Sequence, residues 1–108
     1  MIRLTAQEQE QVAAILHAQV PEYTVWAFGS RVHGRNLKPH SDLDLAILTD
    51  QPLSPTRIME LQQACADSDL PFRVDIIDWA AISTEFRELI RENSVELQPG
   101  AGNLRKAQ

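Results

Sequence analysis

The sequence predicts an α/β (α+β) fold: a small mixed β-sheet of three to four strands with helices packed on it. Three observations point there. Helical periodicity alternates with short runs rich in β-branched and aromatic residues. Proline, glycine and serine fall at the joints between these segments. The chain has 108 residues, which suits one domain with one modest core.

The elements follow in order. Thr5-Ala6-Gln7-Glu8 has the form of a capping box, in which hydroxyl and carboxylate satisfy the first backbone donors reciprocally. Val12, Ile15, Leu16 and Val20 then recur at helical spacing, predicting a helix over roughly 6–19 that Pro21 stops. Tyr23-Thr24-Val25-Trp26-Ala27-Phe28 reads as a strand ending at Gly29, and Leu43 to Leu48 as a second. Ser54-Pro55 supplies an N-cap and a first-turn proline for a helix to about Ser68, with Ile58, Leu61 and Cys65 on its buried stripe. Phe72 to Asp78 is a third strand. Ser83 caps a last helix, with Phe86, Leu89 and Ile90 inward, ending near Asn93, and Val95-Glu96-Leu97 adds a short edge strand. Helices on one face of the sheet are the simplest packing for this order. The domain is expected over 1–97, with 98–108 a loose C-terminal tail, since Pro99 and the glycines beyond it show no apolar periodicity.

Composition excludes several classes. With 44% apolar and 23% charged residues the chain is an ordinary globular protein, neither disordered nor fibrous. No apolar run approaches the ~18 residues of a membrane span. The N-terminal residues lack a signal peptide's apolar region, so the expected location is cytoplasmic. Cys65 is the single cysteine and reads as a small core residue. The net charge is −5, yet Arg31 to His40 holds Arg31, Arg35 and Lys38 and no acid. An acidic chain with one short basic loop argues against direct nucleic-acid binding and suits one small polyanion; the alternative is a solvated loop.

Three carboxylates stand out. Side chains alternate along a strand, so Asp42 and Asp44 project from one face while Leu43 and Leu45 enter the core. If the third strand pairs beside the second, Asp75 joins them. Three ionised carboxylates within ~5 Å repel by roughly 3 kcal/mol per pair at an effective dielectric near 20, which calls for a cation. Oxygen-only ligands suit Mg²⁺ or Mn²⁺ rather than zinc. The alternative is that these aspartates lie unconnected at strand ends. Gly29-Ser30-Arg31 follows the first strand: glycine permits a sharp turn and a close backbone approach, a short helix beginning at Ser30 would offer N–H groups, and Arg31 would add positive charge. By itself a Gly-Ser pair marks only a turn.

The order of these features resembles the nucleotidyltransferase superfamily that includes DNA polymerase β, and specifically the minimal nucleotidyltransferase family. Ala27-Phe28-Gly29-Ser30-Arg31-Val32-His33-Gly34 is similar to that family's Phe-Gly-Ser-Arg phrase, and Ser41-Asp42-Leu43-Asp44-Leu45-Ala46 to its Ser-Asp-Leu-Asp phrase. Arg73-Val74-Asp75-Ile76-Ile77-Asp78 fits the strand of its third carboxylate. The loop 31–41 is one residue longer than the family's usual spacing. The resemblance implies a polymerase β-like fold and transfer of AMP from ATP, a nucleoside triphosphate. Asp42, Asp44 and Asp75 would be the catalytic and metal residues for two Mg²⁺ ions (Mn²⁺ possible), and Gly29, Ser30 and Arg31 would bind the nucleotide. It also implies a HEPN-domain ribonuclease toxin as partner in a hetero-oligomer, with a tyrosine as acceptor and the chain as antitoxin. Two other readings stand beside it. One is a non-catalytic antitoxin that neutralises by contact; the other, a phosphatase of the Asp-x-Asp type, is disfavoured by the polar Lys38-Pro39-His40-Ser41 before the first aspartate. His33 and His40 read as solvated loop residues, Trp26 as core, Asp78 as a strand-end residue, and Trp79 stays open.

Overall fold

The computed structural model describes residues 2–34 and 41–100. Its elements run α1 (Ala6–Gln19), β1 (Thr24–Phe28), α2 (Ser30–His33), β2 (Leu43–Leu48), α3 (Pro55–Ala66), β3 (Val74–Asp78), a 3-10 turn (Trp79–Ala81), α4 (Thr84–Glu92) and β4 (Ser94–Gln98). The capping box at Thr5 and Glu8 is formed, and the Ser54 and Ser83 side chains accept from Arg57 N and Phe86 N. The expected starts of three helices therefore rest on side chains that satisfy orphan backbone donors.

The four strands lie in the order β3-β2-β1-β4. β1 is antiparallel to β2 and β4, and β2 is parallel to β3. A parallel pair needs a crossover, which α3 supplies. The core lies between α1, α3 and one face of the sheet: Val12 and Leu16, Leu61, and Val25, Ala27, Leu43, Leu45 and Ile47 are all buried. Arg57 fastens α3 beside the α1–β1 turn, bonding Glu22 at 2.6 and 2.9 Å and the Gln19 carbonyl at 2.9 Å. Among the described residues no helix is long and apolar enough to cross a membrane.

Two expectations change. The helices do not share one face: α4 sits on the opposite face, where Phe86 packs edge-on against Phe28, the neighbour of core-facing Ala27. Trp26 is on that second face too and packs edge-on against Trp79 rather than entering the main core. The strongly amphipathic sequence of α4 stated that it buries one side; it carried no information about which sheet face receives it. The expected boundary at 97 also moves. Gln98 closes β4 and is buried, its amide donating to the Val20 and Tyr23 carbonyls at 2.9 Å each. Gly100 N donates to Thr24 Oγ1 at 3.0 Å, and a Cβ there would press on the Tyr23–Thr24 backbone. The domain thus runs through residue 100, and 101–108 lie outside the described residues.

Asp78 is more than a strand end. Its carboxylate accepts from the Thr49 hydroxyl, from Leu53 N at 2.7 Å and from Ala80 N at 3.3 Å, the first two bonds buried. Removing it strands the Thr49 hydroxyl and Leu53 N, each costing about a kcal/mol or more, while Ala80 N keeps its bond to Thr49 Oγ1 at 3.1 Å. We expect Asp78→Ala to lose about 3 kcal/mol, read as a lower urea midpoint with unchanged slope.

Candidate active site

β2 and its neighbours bring the expected residues together. In the parallel register Asp44 faces Asp75, and in the antiparallel register it faces Phe28, the residue before Gly29. Asp44 therefore lies between the Gly29-Ser30 turn on one side and Asp75 on the other. Gly29 has φ 81° and ψ −158°, a region open essentially to glycine alone. A Cβ at Gly29 would collide with the Asp44 carboxylate, so the missing side chain is what lets the turn close over the aspartate. Ser30 begins α2 directly behind it, with Gly29 at the N-cap and no side-chain cap bond. Ser30 thus opens the turn where a helix's first N–H groups have no intrahelical partner.

The electrostatics of the cluster are unbalanced. Burial raises the Asp44 carboxyl to about 6, and the Asp75 and Asp42 charges push in the same direction. Arg73 supplies the compensation at hand: its guanidinium donates to the Asp75 carboxylate at 3.0 Å, which with the Asp42 charge raises its own proton affinity. Among the described residues, no three His, Cys, Asp or Glu side chains converge closely enough to hold an ion. The carboxylates are in Coulombic range, yet Asp75 is engaged by Arg73. The donor set still fits a hard divalent cation: it is all oxygen, anionic and short of positive charge at Asp44. Arg73, two residues before Asp75 and so on the same strand face, was open to detection from that spacing.

Arg31 is held from within the fold. It is 6% exposed, its Nε donates to the Ser41 carbonyl and its Nη1 to the Arg3 carbonyl, both at 2.9 Å. Its guanidinium also lies 4.1 Å from the Phe72 ring centre. Through these contacts Arg31 ties the Gly-Ser turn to the residue before Asp42 and to the segment that leads into β3. A guanidinium fork serves several acceptors at once, which an ammonium cannot. We expect Arg31→Ala to cost about 3 kcal/mol and Arg31→Lys to recover less than half, as measured by urea unfolding.

The basic loop residues Arg35, Lys38 and His40 lie outside the described residues; His33 ends α2. Trp79 carries the Arg87 and Arg91 guanidiniums at 5.4 and 5.2 Å from its ring. Cys65 is half-buried, its thiol raised by burial, and it lines a cavity of about 730 Å³ that reaches Asp42, Arg73 and Asp75. No sequence pattern signalled this cavity.

Residues 10–98 match the Polymerase beta, Nucleotidyltransferase family. The chain is 50% identical over 95 residues to the probable protein adenylyltransferase MntA of Haemophilus influenzae, covering 88% of this chain and 82% of that protein. A crystal structure of a toxin-antitoxin with AMP-PNP superposes with a TM-score of 0.71 at 25% identity, over 88% of this chain and 76% of that one. The fold is also that of the MNT antitoxin in complex with the tri-AMPylated HEPN toxin of Shewanella oneidensis, at 22% identity and TM-score 0.59, over 90% and 74% of the two chains. The Gly-Ser turn closed over Asp44, the Asp44–Asp75 register and these similarities converge: the chain belongs to the polymerase β-type nucleotidyltransferase family, on the branch that contains MntA.

Proposed function

We propose that this protein transfers AMP from ATP to a hydroxyl of a partner protein, a tyrosine of a HEPN-domain toxin, and thereby acts as the antitoxin of a cytoplasmic hetero-oligomeric pair. The observation that carries the reading is the position of Asp44 between the Gly29-Ser30 turn and Asp75 on one sheet face. The 50% identity to a probable protein adenylyltransferase and the AMP-PNP of a similar toxin–antitoxin structure support the nucleotide and the acceptor class.

In this reading Asp42, Asp44 and Asp75 would together hold two Mg²⁺ ions, or Mn²⁺ in their place, once brought closer than they stand here. When bound, such ions neutralise charge developing on attacking and leaving oxygens. Gly29 and Ser30 hold the β- and γ-phosphates, the turn being open because no Cβ stands in it. Arg31 positions that turn and Asp42 through its bond to the Ser41 carbonyl. Phosphoryl-group transfer of this kind needs positioning and charge neutralisation, with no covalent nucleophile on the enzyme.

The test is incubation with α-phosphate-labelled ATP, Mg²⁺ and a purified HEPN-domain toxin. A labelled partner band that Asp75→Asn abolishes is the expected result; no label with any nucleotide refutes the reading. The Arg73–Asp75 pair favours a second reading, neutralisation by contact alone, because it occupies a carboxylate that transfer needs. That reading predicts that Asp42→Asn/Asp44→Asn still neutralises the toxin in cells.

A further inference from the structure

The strand order decides from which side an acceptor can approach. The Gly29-Ser30 turn follows β1, Asp44 is on β2 and Asp75 is on β3, so the site is crossed in that sequence. In an in-line displacement at phosphorus, attacking and leaving oxygens stand on opposite sides. If pyrophosphate leaves toward the Gly-Ser turn, the acceptor oxygen must arrive from the β3 side. The cavity of about 730 Å³ lies there, between the C-terminal half of α3 and the start of β3. Gln62, Cys65 and Ala66 line it from α3, Phe72 and Arg73 from the approach to β3, and Asp42 and Asp75 line it as well. Its walls are thus partly apolar and partly carboxylate.

The edge beside this cavity has pairing capacity. Among the described residues β3 pairs only with β2. The Arg73 carbonyl accepts from Leu43 N at 2.8 Å, so in a parallel ladder Arg73 and Asp75 turn their backbone groups to β2 while Val74 and Ile76 turn theirs outward. Met59, 64% exposed, continues the cavity-facing side of α3 toward its N-terminus. A free strand edge flanked by apolar side chains is the setting in which extended peptides are captured by strand addition.

We infer that this cavity is the acceptor site, and that it takes an extended segment of the partner protein laid along the edge of β3 with its hydroxyl side chain directed at Asp75. The inference rests on the AMP-transfer reading. The acceptor oxygen bonds to the α-phosphorus of ATP, the bond from that phosphorus to the bridging oxygen breaks, pyrophosphate leaves, and the hydroxyl proton passes to solvent. Gln62 and Ala66, both exposed on α3, act in specificity by contacting the segment rather than the nucleotide.

The test is steady-state AMP transfer to the purified HEPN-domain partner by Gln62→Trp and Ala66→Trp, with AMP-PNP binding measured in parallel. Glu60→Trp, on the opposite side of α3, controls for bulk on the helix. The expected result is a rise of about tenfold or more in the acceptor KM for both cavity variants, with AMP-PNP affinity unchanged and the control like wild type. An unchanged acceptor KM overturns the inference while leaving AMP transfer intact. Loss of AMP-PNP binding also overturns it, by assigning the cavity to the nucleotide. A wild-type protein that labels no partner refutes the underlying reading itself.

Discussion

Asp44→Asn will be more stable than the wild type without metal at pH 8, and at the same time inactive. Burial and the neighbouring Asp75 and Asp42 charges raise the folded-state carboxyl from 3.8 to about 6. Above pH 6 the group is ionised in both states, and the folded protein carries the full penalty. Between the two values the folded state binds more protons than the unfolded one, so this group's contribution to stability falls as pH rises. Below the unfolded value the penalty vanishes. The raw shift corresponds to about 3 kcal/mol, but the carboxyl is only half-buried and water screens it, which leaves about 1 kcal/mol. The amide removes the charge at little change of shape. Urea unfolding of both proteins between pH 4 and 8 should show a difference of about 1 kcal/mol at the top of the range that closes toward pH 4. Mg²⁺ should stabilise the wild type and leave the variant where it was, because only the former binds it. Activity should fall about 1,000-fold, equivalent to about 4 kcal/mol of lost transition-state stabilisation. Equal stability of the two proteins at pH 8 would show that Asp44 is not under electrostatic pressure.

Gly29→Ala carries the second large effect, and through two separable causes. At φ 81° and ψ −158° any side chain is strained, at roughly 1–3 kcal/mol. The added methyl also overlaps the Asp44 carboxylate, so the turn and the aspartate cannot both keep their places. Some of the loss is offset by the lower entropy of the unfolded alanine chain, about 0.4–1 kcal/mol. A net destabilisation of about 2 kcal/mol is expected, with AMP transfer reduced at least about 100-fold. A double-mutant cycle separates the causes. Pairing Gly29→Ala with Asp44→Ala removes the clash and leaves the backbone strain, so the combined loss of stability should fall short of the sum by about 1 kcal/mol. Additive losses would mean that the steric contact between turn and aspartate carries no energy.

Local signals in the sequence account for much of this fold. Thr5, Ser54 and Ser83 mark helix starts because each hydroxyl meets a backbone donor within its own first turn, a contact that needs nothing from the rest of the chain. The six residues Leu43–Leu48 read as a strand and form one, since period-two alternation is itself the geometry of the pleat. The same alternation put Asp42 and Asp44 on one side. That Asp75 lies opposite Asp44 needed one further assumption, that β3 pairs beside β2, and the parallel register bears it out.

What escaped the sequence depends on contacts between distant segments. Arg31 had a phosphate-binding neighbourhood in the text of the chain, but its side chain turns inward because Ser41, Arg3 and Phe72, distant along the chain, assemble a cage of carbonyls and an aromatic face around it. Gln98 looked like the start of a tail until the α1–β1 turn offered it two carbonyls. Helix and strand identity, capping and the alternation that groups Asp42 with Asp44 are properties of neighbouring residues, so the linear order of side chains was enough to specify them. Strand order, the face taken by α4, the engagement of Asp75 by Arg73 and the cavity beside β3 arise only when the sheet closes. Each depends on which surfaces meet, and many arrangements of the same elements would satisfy the same local rules.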